Sequence, residues 1–133
     1  MSKKPAICSC CEYYRWRQFE RDAEKIAARI APHNFKNIFG PARGGLALAV
    51  KLSHLLDIPF AEKPSGPNDT LIVDDIADTG KTLLPFSRNG YTIITLFYHK
   101  KCSYKPWLWL REKKEKYIIF PWEKQECVKT PRL

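Results

Sequence analysis

The sequence predicts an α/β fold built on a parallel sheet, and three observations predict it. Short apolar runs at 37–39, 71–74, 91–98 and 117–120 have strand character. Stretches of helical periodicity at 16–31, 44–56 and 81–88 are interleaved with them, and strands that alternate with helices form parallel sheets because each return crossing needs a long connection. The 133 residues suffice for one domain, which at this size buries roughly two-thirds of its unfolded surface.

Each element has a local cause. In 16–31, Phe19, Ala23, Ile26, Ala27 and Ile30 fall on one helical face, and Pro32 ends the run. Asn37, Ile38 and Phe39 form a short strand into Gly40. The helix over 44–56 is expected to turn Leu46, Val50, Leu52 and Leu55 inward. Ile58 and Phe60 are assigned to a further strand, and 61–69 to a loop rich in Pro, Gly and Asn. Asn89-Gly90 turns helix 81–88 into strand 91–98, and the last strand stops at Pro121. Trp107 and Trp109 are expected in packing or an oligomer surface, Trp122 in packing, and His33 and His54 as surface or structural groups. In parallel sheets ligands gather at the carboxyl ends of the strands. Loops 40–45 and 74–82 both lie there.

Segment 71–84, Leu-Ile-Val-Asp-Asp-Ile-Ala-Asp-Thr-Gly-Lys-Thr-Leu-Leu, carries the strongest chemical signal. A buried strand ends in Asp74 and Asp75, and Asp78-Thr79-Gly80-Lys81-Thr82 leads into a helix. Such an arrangement suits a sugar phosphate. Unpaired N–H groups at a helix start attract the phosphate. The carboxylates accept hydrogen bonds from ribose hydroxyls or hold a hydrated magnesium ion. A Walker A loop is excluded, because Asp75 stands where its first glycine belongs, and no Gly-x-Gly-x-x-Gly occurs. A plain capping loop needs neither three carboxylates nor Gly-Lys-Thr.

This segment resembles the phosphoribosyl-diphosphate (PRPP) signature of the type I phosphoribosyltransferases. Loop 40–45, Gly-Pro-Ala-Arg-Gly-Gly, resembles the pyrophosphate loop of the purine members, and Tyr14, Trp16, segments 35–46 and 52–59, and Tyr-Ile-Ile-Phe-Pro-Trp-Glu at 117–123 extend the likeness to about 13–123. The resemblance is strongest to the xanthine/guanine/hypoxanthine type. It implies a single-domain, Rossmann-like type I phosphoribosyltransferase fold with helices on both faces, spanning 13–133 after a tail at 1–12. It further implies transfer of a phosphoribosyl group from PRPP to a purine, expected to be a 6-oxopurine, with a nucleoside monophosphate and pyrophosphate as products. By the same resemblance Asp74 and Asp75 bind the ribose, directly or through Mg2+, and Asp78 faces purine N7 as general base or acid. Asp78, Thr79, Gly80, Lys81 and Thr82 hold the 5′-phosphate, and Arg43 and Gly44 hold pyrophosphate. Tyr117 stacks on the base and the Ile118 backbone reads its edge. The family lysine that contacts the 6-oxo group falls at His99, or at Lys100 after a one-residue slip. A homodimer is expected.

Composition is compatible with this reading. The net charge of +9 suits phosphorylated small molecules, with nucleic acid as the rival explanation. In 111–116 lysines and arginine alternate with glutamates, which reads as a solvated face. No run approaches the ~18 apolar residues of a membrane helix, and the basic start lacks an apolar signal region. A cytoplasmic protein with reduced cysteines is therefore expected. Cys8 and Cys11 have zinc-like spacing, which Cys102 or Cys127 would have to complete; a frayed tail is the simpler reading of this end.

Two features depart from the family pattern. Only Ala61 to Thr70 connect Phe60 to Leu71, too few residues for the family's mobile lid, and lids exclude water. At 97–101, Phe-Tyr-His-Lys-Lys leaves the 6-oxo contact undecided between a histidine and a lysine. Two alternatives follow: a noncatalytic PRPP or nucleotide-binding regulator with nucleic-acid affinity, and a hydrolase of PRPP or nucleotides.

Overall fold

The computed structural model describes residues 10–124. Its elements are β1 (Cys11–Tyr13), α1 (Trp16–Ile30), β2 (Asn37–Phe39), α2 (Leu46–Leu56), β3 (Thr70–Ala77), α3 (Leu84–Arg88), β4 (Ile93–Tyr98), β5 (Leu108–Glu112) and β6 (Tyr117–Ile119). The main sheet has the order β2-β3-β4-β5 with every pair parallel, and β1 and β6 form a separate parallel pair. β3 runs through the centre because Leu71, Ile72 and Val73 are fully buried and serve both faces. Leu71 and Val73 pack into the cluster with Phe19, Ile26 and Leu52 of α1 and α2. Ile72 joins Leu83, Ile93 and Tyr104 on the other side, against Leu84 and Phe86 of α3. Helices thus cover both faces, as expected.

Several boundaries move. Cys11 and Glu12, expected at the end of a tail, are strand residues of β1. β5, absent from the sequence reading, forms the sheet edge. In it Trp109 lies 4.7 Å from the ring of Tyr98, whereas Trp107 is half-exposed beside His33. Phe60 makes only an isolated bridge to Ile38 in place of a strand. In α2 the inward face is Leu48, Ala49 and Leu52, while Leu46, Val50 and Leu55 are exposed. The helix stops where Asp57 turns left-handed, at φ 54°, and its N–H closes on the Ser53 carbonyl.

Two charged residues of the 111–116 run leave the solvated face expected of it. Arg111 donates to Asp22 at 2.7 Å from Nε, and Asp22, only 2% exposed, also accepts from the Tyr14 hydroxyl at 2.6 Å. The triad ties α1 to β5. Lys113 turns to Asp78, as described below.

Cys8 and Cys127 lie outside the described residues. Cys10 and Cys11 are each disulfide-bonded, though not to one another, their sulfurs being 3.8 Å apart, against the expectation of reduced thiols, and Cys102 is a free thiol near Gly80. Among the described residues no three His, Cys, Asp or Glu side chains gather as a metal cluster, and no helix is long and apolar enough to cross a membrane.

Candidate active site

The carboxyl end of β3 supplies the centre of the site. Pairing with β4 continues through Asp74↔Thr95, Ile76↔Phe97 and Ala77↔Tyr98, so the acidic pair sits inside a strand that outlasts the predicted 71–74. Asp74 accepts the Asp75 N–H and Asp75 accepts the Ile76 N–H, each at 2.8 Å. Burial, then the neighbouring Asp75 charge, pushes the Asp74 carboxyl up to about 8. Burial likewise raises Asp75, and the charge of Glu123 adds to it. The described residues place no cationic side chain in an ion pair with either carboxylate. Two crowded carboxylates without a cation fit a divalent ion or a set of ribose hydroxyls.

Beyond Ala77 the chain turns through Asp78, Thr79, Gly80, Lys81 and Thr82, which surround a small cavity of about 90 Å³ together with Asp74 and Tyr104. The helix expected over 81–88 begins only at Leu84, so this cradle is a turn and not a helix start. The turn requires Gly80, whose φ is +86° and whose missing side chain leaves room for Ser103 and Cys102. The Thr79 hydroxyl accepts the Lys81 N–H at 3.4 Å.

Loop 40–45 comes to the same end of the sheet. Gly45 donates to the Pro41 carbonyl and Leu46 to the Arg43 carbonyl, folding the loop into α2. Gly44 lies directly against Asp75: a Cβ there would stand 2.7 Å from Oδ2. Arg43, Gly44 and Asp75 share a cavity of about 840 Å³ with Tyr117, Ile119 and Trp122. The Tyr117 side chain is 46% exposed on that wall, while the Ile118 side chain turns into the core. Pairing of β6 with β1 holds this platform, since Tyr117 donates to the Cys10 carbonyl at 2.8 Å and faces Cys11 in register.

The predicted residues thus fall in three spaces, except Ile118, whose side chain is in the core. Arg43, Gly44, Asp75 and Tyr117 line the first; Asp74, Asp78 and 79–82 line the second. His99 and Lys100 line a third groove of about 980 Å³, apart from the Tyr117 cavity. Sequence reasoning missed Tyr104, Glu123, Lys124 and Lys113. Glu123 stood inside the quoted 117–123 segment; the other three had no local signal.

The 61–69 segment is fastened away from the site. Asn37 and Thr70, paired first residues of β2 and β3, bind Ser65: Ser65 donates its N–H to the Thr70 hydroxyl at 2.9 Å, which in turn donates to Asn37 at 2.6 Å. Since β3 starts at Thr70 and its carboxylates lie beyond Val73, the anchor is at the opposite end of the strand.

No protein-family model matches the chain. Among solved structures, a purine phosphoribosyltransferase from Pyrococcus horikoshii is 30% identical, with a TM-score of 0.78 over 92% of this chain and 99% of that one. Helicobacter pylori xanthine-guanine-hypoxanthine phosphoribosyltransferase is 19% identical, with a TM-score of 0.69 over 82% of this chain and 90% of that one. A Neisseria gonorrhoeae protein with bound ppGpp is 16% identical, with a TM-score of 0.66 over 87% and 92%. The last two share the fold.

Proposed function

Given that the chain belongs to the type I phosphoribosyltransferase family and is a pentosyltransferase, we propose that it transfers the 5-phosphoribosyl group of PRPP to a purine base. The products are a nucleoside 5′-monophosphate and pyrophosphate. The base we assign is a 6-oxopurine of the hypoxanthine, guanine or xanthine type. The observation that carries this reading is the half-exposed Tyr117 ring sharing one cavity with Arg43, Gly44 and Asp75. Aromatic stacking suits a flat heterocycle, and an arginine beside a glycine suits a diphosphate.

In the reaction, purine N9 forms a bond to C1 of the sugar as the C1–oxygen bond to pyrophosphate breaks. Positive charge grows on the sugar and negative charge on the leaving group. Arg43 offsets the latter. Asp74 and Asp75 hold the ribose hydroxyls, and the N–H groups and hydroxyls of 79–82 hold the 5′-phosphate, so the reacting atoms meet in line. Asp78 takes or returns the proton at N7, help worth ~10²–10⁴-fold. The same carboxylate pair fits a magnesium ion, which when bound supplies charge neutralisation on the diphosphate.

A second reading, hydrolysis of PRPP, is favoured by the anchored 61–69 segment, which leaves the site without a lid among the described residues. One assay separates the two. The protein is incubated with magnesium, PRPP and hypoxanthine, guanine, xanthine or adenine, and products are resolved by chromatography. Nucleotide whose formation Asp78→Asn slows by ~10²–10⁴-fold supports transfer and names the base. Ribose 5-phosphate without nucleotide supports hydrolysis, and bound but unchanged PRPP sinks both and leaves a noncatalytic binder.

A further inference from the structure

We propose that Lys113 is a positioning residue that holds the Asp78 carboxylate in place at the rim of the 78–82 cradle. The inference rests on the transferase reading above and adds a residue to it. Asp78 is the candidate proton carrier, yet its surroundings do little to fix it. It follows the last residue of β3, its side chain is 46% exposed, and among the described residues its only ionic or hydrogen-bonding partner is Lys113, with Nζ 3.6 Å from Oδ2.

Lys113 is well placed to anchor it. It directly follows β5, and its N–H donates to the Tyr98 carbonyl at 2.9 Å, so its backbone belongs to the edge of the sheet. Its side chain is only 17% exposed, although lysine is among the residues least often buried. Its neighbours Lys114 and Lys116 are exposed. The ammonium therefore links a fixed sheet edge to a turn that the sheet itself no longer holds. It also stands where two spaces meet, lining the groove with His99 and Lys100 while touching a wall of the 78–82 cradle.

The magnitude decides what kind of role this is. An ion pair with one half-exposed partner contributes little to stability. A carboxylate misplaced by 1 Å, however, costs roughly 10²-fold in rate. Loss of Lys113 is therefore expected in turnover and not in folding.

The test is a double-mutant cycle on nucleotide formation in the unaltered protein, Lys113→Met, Asp78→Asn and the double variant, with Lys113→Arg as the conservative replacement. Lys113→Met is expected to lower kcat by about 10–100-fold, with the KM for PRPP and the melting temperature unchanged. Lys113→Arg should recover most of the loss, and Lys113→Met should add almost nothing in the Asp78→Asn background. Unchanged kcat, or a full independent loss in that background, overturns the inference while leaving the transferase reading intact. No nucleotide from the unaltered protein overturns both.

Discussion

Replacing Gly44 by alanine should weaken the use of PRPP, and it should do so through Asp75. A Cβ at Gly44 would lie 2.7 Å from Asp75 Oδ2, 2.8 Å from Oδ1 and 2.9 Å from Cγ, whereas ordinary contact begins at 3.4 Å. The carboxylate must retreat by about 0.5–0.7 Å, the difference between those distances. It cannot swing away freely, because Oδ1 accepts the Ile76 N–H at 2.8 Å from within a paired strand. Gly44 is not among the glycines with positive φ, so alanine itself brings no backbone strain there. A 1 Å misplacement costs roughly 10²-fold, so a shift of about half to two-thirds of that predicts a loss of ~10–30-fold in kcat/KM for PRPP. The assay is steady-state turnover with PRPP varied, for the unaltered protein, Gly44→Ala, Asp75→Ala and the double variant. Contacting residues couple, so the alanine at 44 should cost little once the Asp75 carboxylate is gone. An unchanged kcat/KM in Gly44→Ala, or an equal loss with and without Asp75, would refute the reasoning.

Two further outcomes follow from other parts of the fold. Asp22→Ala strands the buried Tyr14 hydroxyl and removes the partner of the part-exposed Arg111 guanidinium, and is expected to cost about 2–3 kcal/mol, against about 1 kcal/mol for Tyr14→Phe, which removes one hydrogen bond. Chemical denaturation measures both, and similar midpoints for the two variants would show that the triad is no strut between α1 and β5. The second concerns pH. The folded Asp74 carboxyl is pushed up to about 8 from 3.8, so the folded protein binds more protons than the unfolded chain between those values. The contribution is fully present below pH about 4 and is lost as pH rises through about 8. Metal-free protein should therefore lose stability relative to Asp74→Asn between pH 5.5 and 8.5, and parallel denaturation midpoints for the two across that range would count against the shift.

The sequence by itself determined the parallel α/β class, the central strand and the order of its acidic pair and turn. These are local properties: three consecutive apolar residues bury a strand on both faces, and carboxylates beside a Thr-Gly-Lys-Thr turn keep their spacing wherever the strand ends. The face of α2 was not legible, because leucine, valine and alanine surround that helix and periodicity cannot rank its sides; contact with α1, β2 and β3 chose Leu48, Ala49 and Leu52. β1 and β5 were not legible either, since each is a strand only by virtue of the neighbour it pairs with. The same holds for the charged residues. Asp22 and Arg111 are 89 positions apart, and only packing of α1 beside β5 brings them to 2.7 Å. In the sequence Lys113 is one basic residue in a run that alternates with glutamates. Its ion pair with Asp78 exists because β5 ends beside the turn that follows β3, with β4 between the two strands in the sheet. Chemistry carried by neighbours in sequence can be read from the chain, whereas chemistry shared between strand ends exists only after the sheet has assembled.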